Sequence, residues 1–90
     1  MREIFRQTQF KKDIKKIKKS GRYRLEDLIA VVELLAQDRK LQSQNYDHSL
    51  VGEWKDFREC HILPDWLLIY RLEPGKLILV RTGSHTELFG

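Results

Sequence analysis

The chain has 90 residues, 41% of them apolar and 33% charged, with 17 Lys and Arg against 13 Asp and Glu and a formal net charge of +4. That length holds one domain, residues 1–90, with no room for a second. Recurring Leu, Ile, Val, Trp, Tyr and Phe exclude disorder, and no apolar run approaches the roughly 20 residues a membrane span needs.

The opening MREIFRQTQF lacks the apolar block of a signal peptide, and the one cysteine, Cys60, has no partner for an internal disulfide. A cytoplasmic chain with a reduced thiol is expected. The charge is uneven. Residues 1–40 carry 12 Lys and Arg and 6 Asp and Glu, a net of +6, whereas residues 41–90 carry 5 and 7, a net of −2. The excess lies in KKDIKKIKK, residues 11–19. Such a run suits a polyanion, nucleic acid above all, or an acidic protein partner, and equally a solvated helix face.

In chain order, REIFRQ (2–7) alternates loosely and suggests a strand. Thr8 is placed to cap a helix in which Phe10, Ile14 and Ile17 form one stripe, with Lys11, Lys12, Lys15, Lys16, Lys18 and Lys19 around the rest, ending at Ser20-Gly21. A second helix, about Arg24 to Gln37, has Leu25, Leu28, Val32 and Leu35 as its buried stripe, widened by Ile29, Val31 and Leu34; Glu26 and Asp27 suit its first turn. The short linker implies an antiparallel helical hairpin. Residues 38–52 are polar, without clear period, and read as a long loop containing His48; long loops are often functional.

From Glu53 the pattern is β. EWKDFRECHIL, a turn at Pro64-Asp65, WLLIYRL, a Pro74-Gly75 type II turn and KLILVRT make an antiparallel meander, followed by the tail GSHTELFG. The order β-α-α-β-β-β gives an α+β fold, an antiparallel sheet with a helical hairpin on one face.

An up-and-down meander brings the start of WLLIYRL beside the end of KLILVRT. His61, Asp65, Arg81 and His85 therefore fall at one rim of the sheet. A histidine and a carboxylate can exchange protons near neutral pH, Arg81 offers a forked donor to phosphate, and Trp66 and Phe89 offer faces for base stacking. Together they suit RNA cleavage through the 2′-OH. Each residue also has a plain reading. His61 can be a surface polar residue at a strand end, and Asp65 can simply cap its turn. Trp54, Phe57, Trp66 and Tyr70 can be core, and Arg81 can pair with a neighbouring acid. Cys60 and His61 point to opposite faces of a strand, and no CxxC or HxxxH spacing is present, so neither a metal site nor a cofactor is expected.

The stretches DHSLVGEWKDFRECHILPDWLLIYRL (47–72) and LILVRTGSHTELFG (77–90) resemble the YafQ-type branch of the RelE/ParE toxin superfamily. The N-terminal strand and basic helical hairpin fit in order and length. The resemblance implies a RelE-like α+β toxin of a type II toxin–antitoxin pair, a ribosome-dependent endoribonuclease that cuts messenger RNA in the A site. It implies His48, His61, Asp65 and His85 as catalytic residues and adds Phe89. His85 would protonate the leaving oxygen, Asp65 or His61 would help activate the 2′-OH, His48 would position phosphate, and Arg81 would bind it. The lysine helix, with Lys11, Lys12, Lys15 and Lys16, would lie against ribosomal RNA. A cognate antitoxin would neutralise the free, monomeric toxin. Two alternatives remain at this point: a ParE-like gyrase poison, and a binding module without chemistry.

Overall fold

In the computed structural model, which describes residues 1–90, the chain runs β1 (Glu3–Arg6), α1 (Thr8–Ser20), α2 (Leu25–Ala36), β2 (His48–Ser49), β3 (Arg58–Leu63), β4 (Trp66–Glu73), β5 (Lys76–Gly83) and α3 (His85–Phe89), with 3-10 turns at Ser43–Asn45 and Gly52–Trp54. The expected order thus gains a two-residue strand inside residues 38–52 and a short closing helix. The strand expected from Glu53 starts only at Arg58, because Gly52–Trp54 coils with Gly52 at φ +69°.

In α1, Phe10 and Ile17 are buried and Ile14 half-buried, as their spacing requires; Asp13 is buried on the same stripe. Thr8 is the first helical residue rather than the cap. Gln7 holds the cap position and makes no side-chain bond there. Gly21 ends the helix at φ +69°, its N–H donating to the Ile17 carbonyl, the geometry glycine adopts without strain. In α2, Leu28, Val31, Val32, Leu35 and Ala36 are buried, while Ile29, expected within the stripe, is exposed.

The sheet order is β1-β5-β4-β3-β2, with β1 parallel to β5 and every other pair antiparallel. Alternation along the strands divides the core. Cys60, Ile62, Trp66, Leu68, Tyr70, Leu77 and Leu79 face α1 and α2. Ile69, Ile78 and Val80 face the other way, under Leu50, Trp54, Phe57 and Leu88. Both faces of β4 and β5 are covered, which is why their sequences are nearly continuous apolar runs. The Pro64-Asp65 turn joins the paired Leu63 and Trp66, and Pro74-Gly75 joins the paired Glu73 and Lys76, with Gly75 at φ +72° as a type II turn needs. No helix is long and apolar enough to cross a membrane.

Candidate active site

β2 lies at the sheet edge, with His48 opposite Glu59 and Ser49 opposite Arg58 on β3. The period of two along β3 places Glu59 and His61 on one face and turns Cys60 into the helix-side core. Burial pushes the Cys60 thiol well up from its ordinary value, which leaves it inert packing.

His48 and His61 are held alike. Nδ1 of His48 lies 2.6 Å from the Tyr46 carbonyl and Nδ1 of His61 lies 3.3 Å from the Pro64 carbonyl. A carbonyl oxygen only accepts, so each Nδ1 carries the hydrogen, and the neutral ring has its lone pair on Nε2. Both Nε2 atoms approach the same oxygen, Glu59 Oε1, at 3.7 Å and 3.6 Å. The Glu59 side chain is only 8% exposed. A buried carboxylate thus stands between two imidazoles, the His48 side chain 49% exposed and that of His61 26%.

His85 opens α3. Its helix is set by a capping box: Ser84 Oγ accepts from the Glu87 N–H at 3.1 Å, and the Ser84 N–H donates to Glu87 Oε1 at 2.8 Å. Glu87 also pairs with Lys16 at 3.4 Å. The His85 ring lies 5.2 Å from Phe89, whose ring meets Trp54 at 5.9 Å, and Trp54 meets Phe57 at 5.3 Å. This aromatic chain ties α3 to the layer over the sheet face that carries Glu59 and His61. Register makes the same point. His61 pairs with Leu67, and Leu67 with Gly83; two strand spacings put the Gly83 backbone about 10 Å from that of His61.

The Ser84 backbone N–H holds the Glu87 carboxyl below its ordinary value of 4.5. A lowered folded pKa stabilises above the unfolded pKa, and that contribution disappears as pH falls through the folded pKa. In urea unfolding, the stability difference between the wild type and Glu87→Gln should be constant at neutral pH and shrink below pH 4.5. A difference unchanged down to acid pH would show that the carboxylate does not hold α3.

Three expected site residues lie elsewhere. Trp66, read as a base platform, is fully buried: it stacks on Tyr23 with centroids 4.5 Å apart, and its Nε1 donates to Thr82 Oγ1 at 2.8 Å. As the first residue of β4 it faces the helices, so the core reading holds. The Arg81 fork is partly engaged, with 27% of its side chain exposed. It grips Asp13 of α1 through Nε at 2.8 Å and Nη2 at 3.2 Å, and this pairing raises the guanidinium pKa. A bulge gives β5 one extra residue between Leu79 and Arg81, and such bulges re-aim side chains. Asp65 does not join His61. It is exposed in its turn and pairs with Arg22 at 3.3 Å, while the Tyr23 hydroxyl donates to its carbonyl. Phe89, at 38% exposure, and Lys11, Lys12, Lys15 and Lys16 are accessible.

A family model described as "bacterial toxin of type II toxin-antitoxin system, YafQ" matches residues 2–90. The chain belongs to the YafQ family. It is 36% identical over 89 residues to the mRNA interferase toxin YafQ of Escherichia coli K12, covering 99% of this chain and 97% of that one. The crystal structure of the Escherichia coli DinJ–YafQ complex matches with TM-score 0.90 and 37% identity over the whole of both chains. A copper-bound mutant toxin from Helicobacter pylori matches with TM-score 0.94 and 42% identity, over 99% of this chain and all of that one. The α+β fold with its five-stranded sheet is therefore RelE-like.

Within this YafQ-family chain no group of three or more His, Cys, Asp or Glu side chains is arranged as a metal-ligand set. The arrangement has the groups that proton transfer needs. Two imidazoles presenting Nε2 beside a carboxylate can accept a proton and share the resulting charge. The residue missed from sequence is Glu59. Its signal was the alternation Arg58-Glu59-Cys60-His61, which already placed it on the histidine's face. Ser84-His85-Thr86-Glu87 likewise spells a capping box, the mark of α3.

Proposed function

We propose that this chain is the toxin of a type II toxin–antitoxin pair and an endoribonuclease that cuts messenger RNA in the ribosomal A site by acid–base chemistry of its own side chains. The observation that carries the reading is the convergence of His48 and His61 Nε2 on Glu59 Oε1, at 3.7 Å and 3.6 Å, in a chain whose Escherichia coli relative is named an mRNA interferase. The relative crystallised with DinJ supports a cognate antitoxin partner. Residues 1–90 act as one toxin domain, in the cytoplasm, where the ribosomes are.

In this reading the 2′ oxygen attacks the adjacent phosphorus while the bond from phosphorus to the 5′ oxygen breaks. The proton of the 2′-OH passes to a base, and an acid returns one to the departing 5′ oxygen, leaving a 2′,3′-cyclic phosphate and a 5′-hydroxyl. His61 Nε2, backed by Glu59, serves as the base in preference to Asp65, which is turned to Arg22. His48, on the other side of Glu59, steadies the phosphate in its imidazolium form, donating from Nε2–H as well as from Nδ1–H. His85 is the acid, with Phe89 as a face for the adjoining base. The exposed α1 lysines bind ribosomal RNA as a charge surface rather than as readers of sequence.

The test uses end-labelled messenger on programmed ribosomes. Wild type should cut within the A-site codon and leave a cyclic phosphate. Glu59→Gln, which keeps shape but loses charge, should slow the cut about ten- to a hundredfold, within the range of acid–base effects. Intact messenger with wild-type protein, alongside undiminished growth arrest, would move the reading to a gyrase poison.

A further inference from the structure

β2 contributes only two ladder pairs, at the open edge of the sheet. So short a strand cannot by itself fix the direction of a side chain. The residues flanking His48 point away from it, to the helix-side face, and there both are held. The Tyr70 hydroxyl donates to Asp47 Oδ1. Arg58 donates from Nε to the Tyr70 hydroxyl at 3.2 Å and from Nη1 to Ser49 Oγ at 2.8 Å, and its Nη2 lies 3.3 Å from Asp47 Oδ1.

We propose that Tyr70 and Arg58 form a positioning bracket for His48: they grip the residue on each side of it from beneath the sheet and so aim its imidazole at Glu59. Neither residue touches the face that carries the histidines. Tyr70 is fully buried. A buried hydroxyl is costly unless it is bonded, and this one both accepts and donates. Burial first, and the Asp47 bond second, push its pKa far up, so it stays an O–H donor across the range in which histidines titrate. The Tyr70 bond in turn raises the Arg58 pKa, keeping the fork charged. The bracket therefore keeps both its hydroxyl donor and its charge across the neutral range.

The role assigned to His48 rests on the proposed function, so the test has one arm that needs no RNA. In the free protein, NMR of the histidine rings should show the His48 signals and tautomer pattern altered in Tyr70→Phe, with those of His85 unmoved. In the second arm, single-turnover cleavage by Tyr70→Phe should fall about ten- to a hundredfold, the scale of an ångström-sized misplacement, with half-saturation by ribosomes unchanged. The same change in a His48→Ala background should cost nothing further, the coupling expected of residues acting as a unit. Asp47→Asn tests the same bracket from its other side should Tyr70→Phe fail to fold. Unaltered His48 signals, or equal losses in both backgrounds, would overturn the bracket. If wild-type protein leaves messenger intact, the proposed function fails while the NMR arm still decides the bracket.

Discussion

Replacing His85 with Ala should slow cleavage of ribosome-bound messenger by about a hundredfold or more, the usual contribution of a positioned proton donor, and should leave stability nearly unchanged. The structure separates the two effects. His85 is exposed and its ring packs beside Phe89. Its helix is held instead by the backbone and side-chain bonds of Ser84 and Glu87. In the proposed mechanism, losing the imidazole removes a proton source without opening the core. A messenger with sulfur in place of the bridging 5′ oxygen has a leaving group that needs no proton, and it should restore most of the mutant's rate. No restoration would assign the acid elsewhere.

The second large effect concerns the fold. Trp66→Ala should cost about 3–5 kcal/mol of stability, as for large aromatic truncations in well-packed cores. The indole is fully buried, stacks on Tyr23 and bonds Thr82. Trp66→Phe should cost less, because Thr82 Oγ1 still donates to the Leu67 carbonyl at 2.8 Å. Urea unfolding reads both. A Trp66→Ala protein of wild-type stability with weakened RNA binding would reinstate Trp66 as a base platform.

These two residues also show where sequence reasoning held and where it did not. The helices, the meander and its two turns follow from local signals: the Phe10, Ile14, Ile17 spacing, Gly21, and Pro74-Gly75. Burial on both faces of β4 follows from its unbroken apolar run. The site was only partly legible. His61 came from topology, whereas His48 needed the family resemblance, because a strand of two residues has no period to detect. Glu59 was visible as a face partner of His61, but its burial was not, since that depends on β2 closing over it. Arg81 has a partner that local sequence does not announce, Asp13, which lies 68 residues away on α1. No spacing rule links them, and the bulge that re-aims Arg81 leaves no mark in the sequence. Asp65 was drawn to His61 by proximity in the chain, and the Arg22 pairing in the helical linker was beyond local reading.

β3 reads in two directions at once. Cys60 and Ile62 belong to the hydrophobic interior, while Glu59 and His61, in between, carry the polar site. A slip of one residue in the pairing with β4 would exchange the two sets, exposing the apolar pair and burying the ionisable one. Activity and folding therefore share a single reading frame along this strand. A chain that misassembles here loses its toxicity together with its structure, so the cell that makes it faces an intact poison or a harmless failure, with little in between.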